Sequence, residues 1–152
     1  MDMSDLLQPG SVVADLRAST KKQLLQSLSH QAAGLTGFGE AQILAAVSQR
    51  EKLGATGFGL GTAIPHGKLT GLPHMTGVFA RLTTPLDYGA IDAQPVDLVF
   101  LLLAPESAGA DHLKALARVS RLFRDGLFVS KLRGTTSADA LYAMLATGDG
   151  PI

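Results

Sequence analysis

Cysteine is absent from the 152-residue chain, which excludes disulfides, thiolate catalysis and Cys-ligated metal sites. An excess of either charge is absent as well, since 13 Lys and Arg balance 13 Asp and Glu. Nucleic-acid binders usually carry a clear basic excess, so a nucleic-acid partner is not expected. No long apolar run occurs. The longest, Leu98 to Ala104, falls far short of the ~20 residues needed to span a bilayer. The acidic start Met1-Asp2-Met3-Ser4-Asp5 leads into no secretory-type apolar stretch. A cytoplasmic protein without membrane insertion is the expectation. With 46% hydrophobic and 17% charged residues, the composition is that of a globular domain rather than a disordered chain. Domains cluster around ~100–150 residues, so residues 1–152 are expected to form one domain, with a loose tail at 148–152.

The pattern predicts alternating elements. Leu24, Leu25, Leu28 and Ala32 recur at helical spacing over Thr20 to Ala33, where Thr20 and Gln23 resemble a capping box and Gly34 marks the end. A second helix is expected over Glu40 to Lys52, with Ile43, Leu44 and Val47 on its apolar side. Strands are expected at Ser11 to Ala14, Thr76 to Leu82 and Asp97 to Leu103. The last of these is continuously apolar and so reads as a central strand covered on both faces. Asp111 to Arg124 reads as a helix capped by Asp111, with Leu113, Leu116, Ala117 and Phe123 inward. Shorter helices are expected over Leu127 to Leu132 and Ser137 to Ala146. Interleaved helices and strands imply an α/β layered fold.

The chemistry concentrates in the run Arg50 to Lys68. Five glycines fall within its 19 residues, and His66 stands between Pro65 and Gly67. Glycines at this density let backbone N–H groups approach a ligand, and such loops often cradle anions. Two phosphate-loop patterns fail. Five residues, not four, separate Gly61 from Gly67-Lys68, and Leu69 replaces the hydroxyl of a Walker loop. Gly57-Phe58-Gly59-Leu60-Gly61 has the wrong spacing for a dinucleotide fingerprint and follows a helix. What remains is a histidine on a constrained turn, where Pro65 restricts Ile64 and Gly67 lets the chain bend away. A neutral imidazole has a free lone pair and can accept a phosphoryl group without a general base. The phosphoryl oxygens would then need donors. On spacing alone, His66 reads equally as a loop histidine bonded to a carbonyl.

The run Arg50-Glu51, Gly54, Thr56-Gly57-Phe58-Gly59, Gly61 and Ala63-Ile64-Pro65-His66-Gly67-Lys68 resembles the signature of bacterial phosphotransferase-system enzyme IIA domains of the fructose/mannitol class. The N-terminal Leu6-Leu7, Pro9, Val12, Leu16-Arg17-Ala18-Ser19, Lys21 and Leu24-Leu25 resemble the stand-alone, nitrogen-related branch. Leu60 departs from that branch, many of whose members carry asparagine there. The resemblance implies a mixed β-sheet flanked by helices. It implies that His66 is the phosphoryl acceptor, served by an HPr-like carrier, and that Arg50 and His112 stabilise the phosphoryl group. It calls for no cofactor and no metal. It also implies signalling of nitrogen, potassium or carbon status through regulatory targets such as kinases or potassium transporters. The alternatives are a sugar-specific enzyme IIA serving a separate IIB component, and a binding module that is not phosphorylated.

Other residues read more plainly. His112 sits in the first turn of its helix, where the dipole favours a neutral imidazole and attracts anions, although without the resemblance a helix-surface histidine is the more ordinary reading. Arg50 near a helix end could simply oppose the C-terminal dipole. Glu51 reads as solvated or locally structural, and His30 and His74 as surface or supporting residues. A zinc site from His66, His74 and His112 matches no familiar ligand spacing. Lys114, Arg118, Arg121 and Arg124 read as a solvated helix face, while Phe58, Leu60 and Ile64 could rim a docking site.

Overall fold

The computed structural model describes residues 2–148. After a 3-10 turn at Met3–Asp5 come β1 (Val12–Leu16), α1 (Lys21–Thr36), α2 (Glu40–Lys52), β2 (Gly57–Gly59), β3 (Thr62–Ala63), β4 (His66–Leu69), β5 (Thr76–Leu86), β6 (Val96–Pro105), α3 (Ala110–Arg124), α4 (Gly126–Arg133) and α5 (Ala138–Thr147). The strands make one mixed six-stranded sheet in the order β1-β5-β6-β3-β2, with β4 also paired to β6. The α/β fold with a mixed sheet flanked by helices is therefore as expected.

Strand β6 organises the sheet because it is buried on both faces. Val99, Leu101 and Leu103 enter a core with Leu24 and Leu28 of α1 and Ile43 and Val47 of α2. Leu98, Phe100 and Leu102 enter a second core with Val119 and Phe123 of α3, Leu132 of α4 and Leu141 of α5. Side chains alternate across a strand, so two cores demand an unbroken apolar run. One edge of β6 pairs antiparallel with β5. Its other edge takes two short parallel strands end to end, β3 against Leu98 and Val99, then β4 from Leu102 to Pro105.

The helix ends follow local chemistry. Thr20 accepts from the Gln23 N–H at 3.1 Å, while the Gln23 side chain reaches Ser19 rather than Thr20, at 2.9 Å. The helix runs past Gly34 to Thr36 and ends at Gly37, which takes the left-handed conformation at φ 78°. Asp111 is not a cap: α3 starts at Ala110 after Gly109, so Asp111 lies in the first turn. The buried stripe of α3 is His112, Ala115, Val119 and Phe123, whereas Leu113 is 68% exposed and Ala117 also faces solvent. The expected inward face was thus turned by about one residue, towards the larger apolar side chains. Of the expected tail, Gly148 caps α5, and residues 149–152 lie outside the described residues.

Gly67 has a different task from the bend expected of it. It lies within β4, buried, where an added Cβ would meet the Ala46 Cβ and backbone of α2 at 3.2 Å. Its missing side chain lets α2 approach β4 closely, and α2 carries Arg50. Overpacking such a contact costs about 1–3 kcal/mol, so Gly67→Ala should lower unfolding stability by that amount in chemical denaturation, with an unchanged m-value.

Candidate functional site

His66 does not hang in a turn; it is the first residue of β4, in register with Leu102 of β6. Just before it, the Pro65 carbonyl accepts from the Leu102 N–H at 2.9 Å, which pins the strand entry. The His66 ring is half-buried, and its Nδ1 lies 2.9 Å from the Ile64 carbonyl. A carbonyl can only accept, so Nδ1 carries the proton and Nε2 keeps the lone pair of the neutral ring. The carbonyl bond that sequence reasoning offered as an alternative to reactivity is thus what orients the ring.

His112 meets His66 edge to face, with ring centroids 5.6 Å apart and an interplanar angle of 85°. The inward stripe of α3 carries it there, leaving it 6% exposed with Nδ1 buried and without a hydrogen-bond partner among the described residues. Arg50, in the last turn of α2, donates from Nη1 to the Gly54 carbonyl at 2.8 Å. Burial lowers the His66 pKa, a push that the Ile64 bond opposes and the Arg50 charge reinforces. Burial also lowers the His112 pKa, with the charges of His66 and Lys68 acting in the same direction. Both rings are therefore neutral near pH 7, beside the cations Arg50 and Lys68 and the N-terminal end of α3.

Sequence reasoning missed the burial of Glu51. Its carboxylate is 6% exposed and pairs with the Lys21 Nζ at 2.8 Å. It also accepts from the Tyr88 hydroxyl at 2.7 Å, the Thr56 N–H at 3.2 Å and the Thr56 hydroxyl. Burial alone would raise its pKa, but the hydrogen bonds from Lys21, Thr56 and Tyr88 hold it below the ordinary carboxylate value. The solvated reading is wrong and the structural one right. Its partners stand far off in sequence or at non-helical spacing, so no local signal could have found them.

The remaining expectations divide. Phe58 and Leu60 are exposed, Leu60 at the Asp97 end of β6 rather than beside His66, and Ile64 is buried in the core and forms no rim. Leu60 adopts φ 57°, unusual for a non-glycine residue, and its carbonyl accepts from the Arg133 Nη2 at 2.8 Å. That guanidinium also grips Asp97 through two bonds of 2.7 and 2.8 Å, which fastens α4 to the glycine-rich segment. His30 is exposed beside Glu40, and His74 is an exposed turn residue. The basic face of α3 is largely solvated, with Arg118 reaching Asp2 at 3.3 Å. Among the described residues no three His, Cys, Asp or Glu side chains gather as metal ligands, so the zinc alternative finds no support.

Residues 5–148 match the family model described as "Phosphoenolpyruvate-dependent sugar phosphotransferase system, EIIA 2". The chain belongs to that family. It is similar to the nitrogen regulatory protein of Bradyrhizobium diazoefficiens, with 53% identity over 146 residues, covering 96% of this chain and 95% of that one. Its fold is close to that of nitrogen regulatory protein IIA-Ntr from Neisseria meningitidis, with a TM-score of 0.89, 33% identity, and coverage of 94% of this chain and 98% of that one. IIA mannitol from Escherichia coli shares the fold, with a TM-score of 0.76 and 22% identity, covering 92% of this chain and 99% of that one. As a member of this family the chain is a phosphotransferase-system component. No helix among the described residues is long and apolar enough to cross a membrane.

The two depressed imidazoles have a consequence in acid. The unfolded chain takes up protons at the ordinary histidine value of 6.5, before the folded chain does. Stability should therefore fall as the pH drops below 6.5, until the folded rings protonate too. Denaturation between pH 7 and 5 should show this slope, and a His66→Gln, His112→Gln double variant should reduce it.

Proposed function

We propose that this chain is a phosphocarrier and regulatory protein of a nitrogen-related phosphotransferase system. It works as one domain in the cytoplasm. The observation that carries this reading is the His66 ring, whose Nδ1–H is tied to the Ile64 carbonyl while Nε2 stays unprotonated beside His112. The donor is a phosphohistidine on an HPr-like carrier. Nε2 of His66 attacks the phosphorus in line, and a new P–N bond forms as the donor's P–N bond breaks. The departing imidazole keeps that bond's electron pair and leaves neutral, its other ring nitrogen already carrying a proton, while the His66 proton stays on Nδ1, hydrogen-bonded to the Ile64 carbonyl. No general base is needed, because the nucleophile is already deprotonated.

The transferring group spreads negative charge over its equatorial oxygens, and catalysis is mostly positioning and charge stabilisation. Arg50 supplies fixed positive charge and N–H donors. A neutral His112 supplies one ring N–H at low desolvation cost, because it is already buried. No metal or organic cofactor enters the step. Half-burial of His66 leaves it shallow enough for a second protein's histidine to approach. The phosphorylation state then alters binding to regulatory targets, such as kinases or potassium transporters, and so reports nitrogen, potassium or carbon status.

Intact-mass measurement after incubation with phosphoenolpyruvate, enzyme I and an HPr-like carrier tests this reading. A single acid-labile phosphoryl adduct is expected on the wild type, and none on His66→Ala. His112→Ala and Arg50→Ala should still accept the group but at rates lower by roughly a hundredfold, the usual scale for losing one charge-stabilising donor. An unmodified wild type beside a phosphorylated carrier would overturn the proposal, and full-speed transfer in either of the last two variants would remove that residue's role.

A further inference from the structure

Glu51 is not part of the phosphoryl-handling set, yet few side chains in the molecule are so thoroughly tied. We propose that Glu51 is a positioning residue that fixes the tautomer of His66, acting through Thr56 and Ile64. The proposal rests on His66 being the phosphoryl acceptor.

The connection is a relay of hydrogen bonds running in one direction. Glu51 grips Thr56 twice, at its backbone N–H (3.2 Å) and at its hydroxyl. The Thr56 carbonyl, thus aimed, accepts from the Ile64 N–H at 3.0 Å. The Ile64 carbonyl then accepts from His66 Nδ1–H at 2.9 Å. Thr56 and Ile64 bracket the glycine-rich turn, so this link sets where the Ile64 carbonyl points. Were that carbonyl to turn away, the imidazole would lose its bias, and a fraction of molecules would carry the proton on Nε2. Those molecules have no lone pair to offer a phosphoryl group.

The other contacts of Glu51 serve the same end. Lys21 and Tyr88 also hold the carboxylate, the Tyr88 hydroxyl lying 3.0 Å from the Thr56 hydroxyl and the Lys21 ammonium 4.3 Å from the centre of the Tyr88 ring. A carboxylate shared among several donors is fixed in place, and hydrogen bonds to a charged acceptor are stronger than neutral ones. Its ion pair is with Lys21, not with its neighbour Arg50, whose guanidinium stays directed to the Gly54 carbonyl. The carboxylate thus serves as scaffolding, and its charge also acts on His66, where it raises the imidazole pKa against the larger effect of burial.

The test reads the ring itself. Long-range 15N NMR of His66 in the unphosphorylated protein should show nearly pure Nδ1–H tautomer in the wild type. Glu51→Ala, with amide dispersion confirming the fold, should show a tautomer mixture and accept phosphoryl about tenfold more slowly, a loss typical of slight misplacement. Thr56→Val, which removes the hydroxyl but keeps the backbone links, should shift both readings less and stands in if Glu51→Ala does not fold. Thr56→Ser should recover the tautomer bias and the rate. Wild-type tautomer in folded Glu51→Ala, or in Thr56→Val where the first does not fold, would overturn the proposal, because a merely structural carboxylate lowers stability without moving the ring proton. The NMR reading needs no donor protein. A wild type that stays unlabelled while its tautomer responds to Glu51→Ala would therefore sink the phosphocarrier reading and leave the positioning role standing.

Discussion

Burial of β6 on both faces is the constraint from which the rest of the molecule follows. A strand with no solvent face must find hydrogen-bond partners along both edges and apolar cover above and below. The antiparallel β5 supplies one edge. The other is completed by β3 and β4, which are too short to persist alone and exist because β6 offers them a template. His66 begins the second of these, so its backbone is fixed by pairing with Leu102 rather than by the turn before it. The same strand's Leu98, Phe100 and Leu102 set the depth at which α3 docks, and with it the place of His112.

Electrostatics at the site run against the whole-chain balance. A molecule with no net charge brings Arg50, Lys68 and the start of α3 around two neutral rings. Burial keeps the imidazoles uncharged, and their neutrality keeps mutual repulsion out of a contact only 5.6 Å between centroids. An anion brought there meets fixed donors and gives up little water that the protein does not replace. Glu51, adjacent in sequence to Arg50, would spoil this were it free to face the site. Lys21 and Tyr88 instead hold its carboxylate in a buried network with Thr56.

Long elements were legible in the sequence because their periodicity is local. The α1 stripe at Leu24, Leu25, Leu28 and Ala32 and the apolar run of β6 needed no tertiary information. The Pro65-His66-Gly67 environment drew notice through its composition. Strands of two to four residues carry no periodic signal, so β2, β3 and β4 were read as a loop. The α3 face was misjudged because Leu113 outweighs His112 on any hydrophobic count. The series 112, 115, 119 and 123 has the right spacing once a histidine is admitted to an apolar stripe. Glu51 was beyond reach, since its burial depends on Lys21 and Tyr88, which only the folded chain brings near.

The Arg133 clamp bears on how the molecule meets another. By holding the Leu60 carbonyl and Asp97 together, it keeps Leu60 in a backbone conformation that an unrestrained leucine rarely visits, with a side chain that remains 52% exposed. A flexible loop would have to be ordered at the moment of encounter, and that ordering would weaken association. Here the ordering is completed during folding, so the surface around Leu60 is presented in finished form. Contacts that form and dissolve quickly are favoured by such a surface, because neither approach nor departure has to wait for the chain to rearrange.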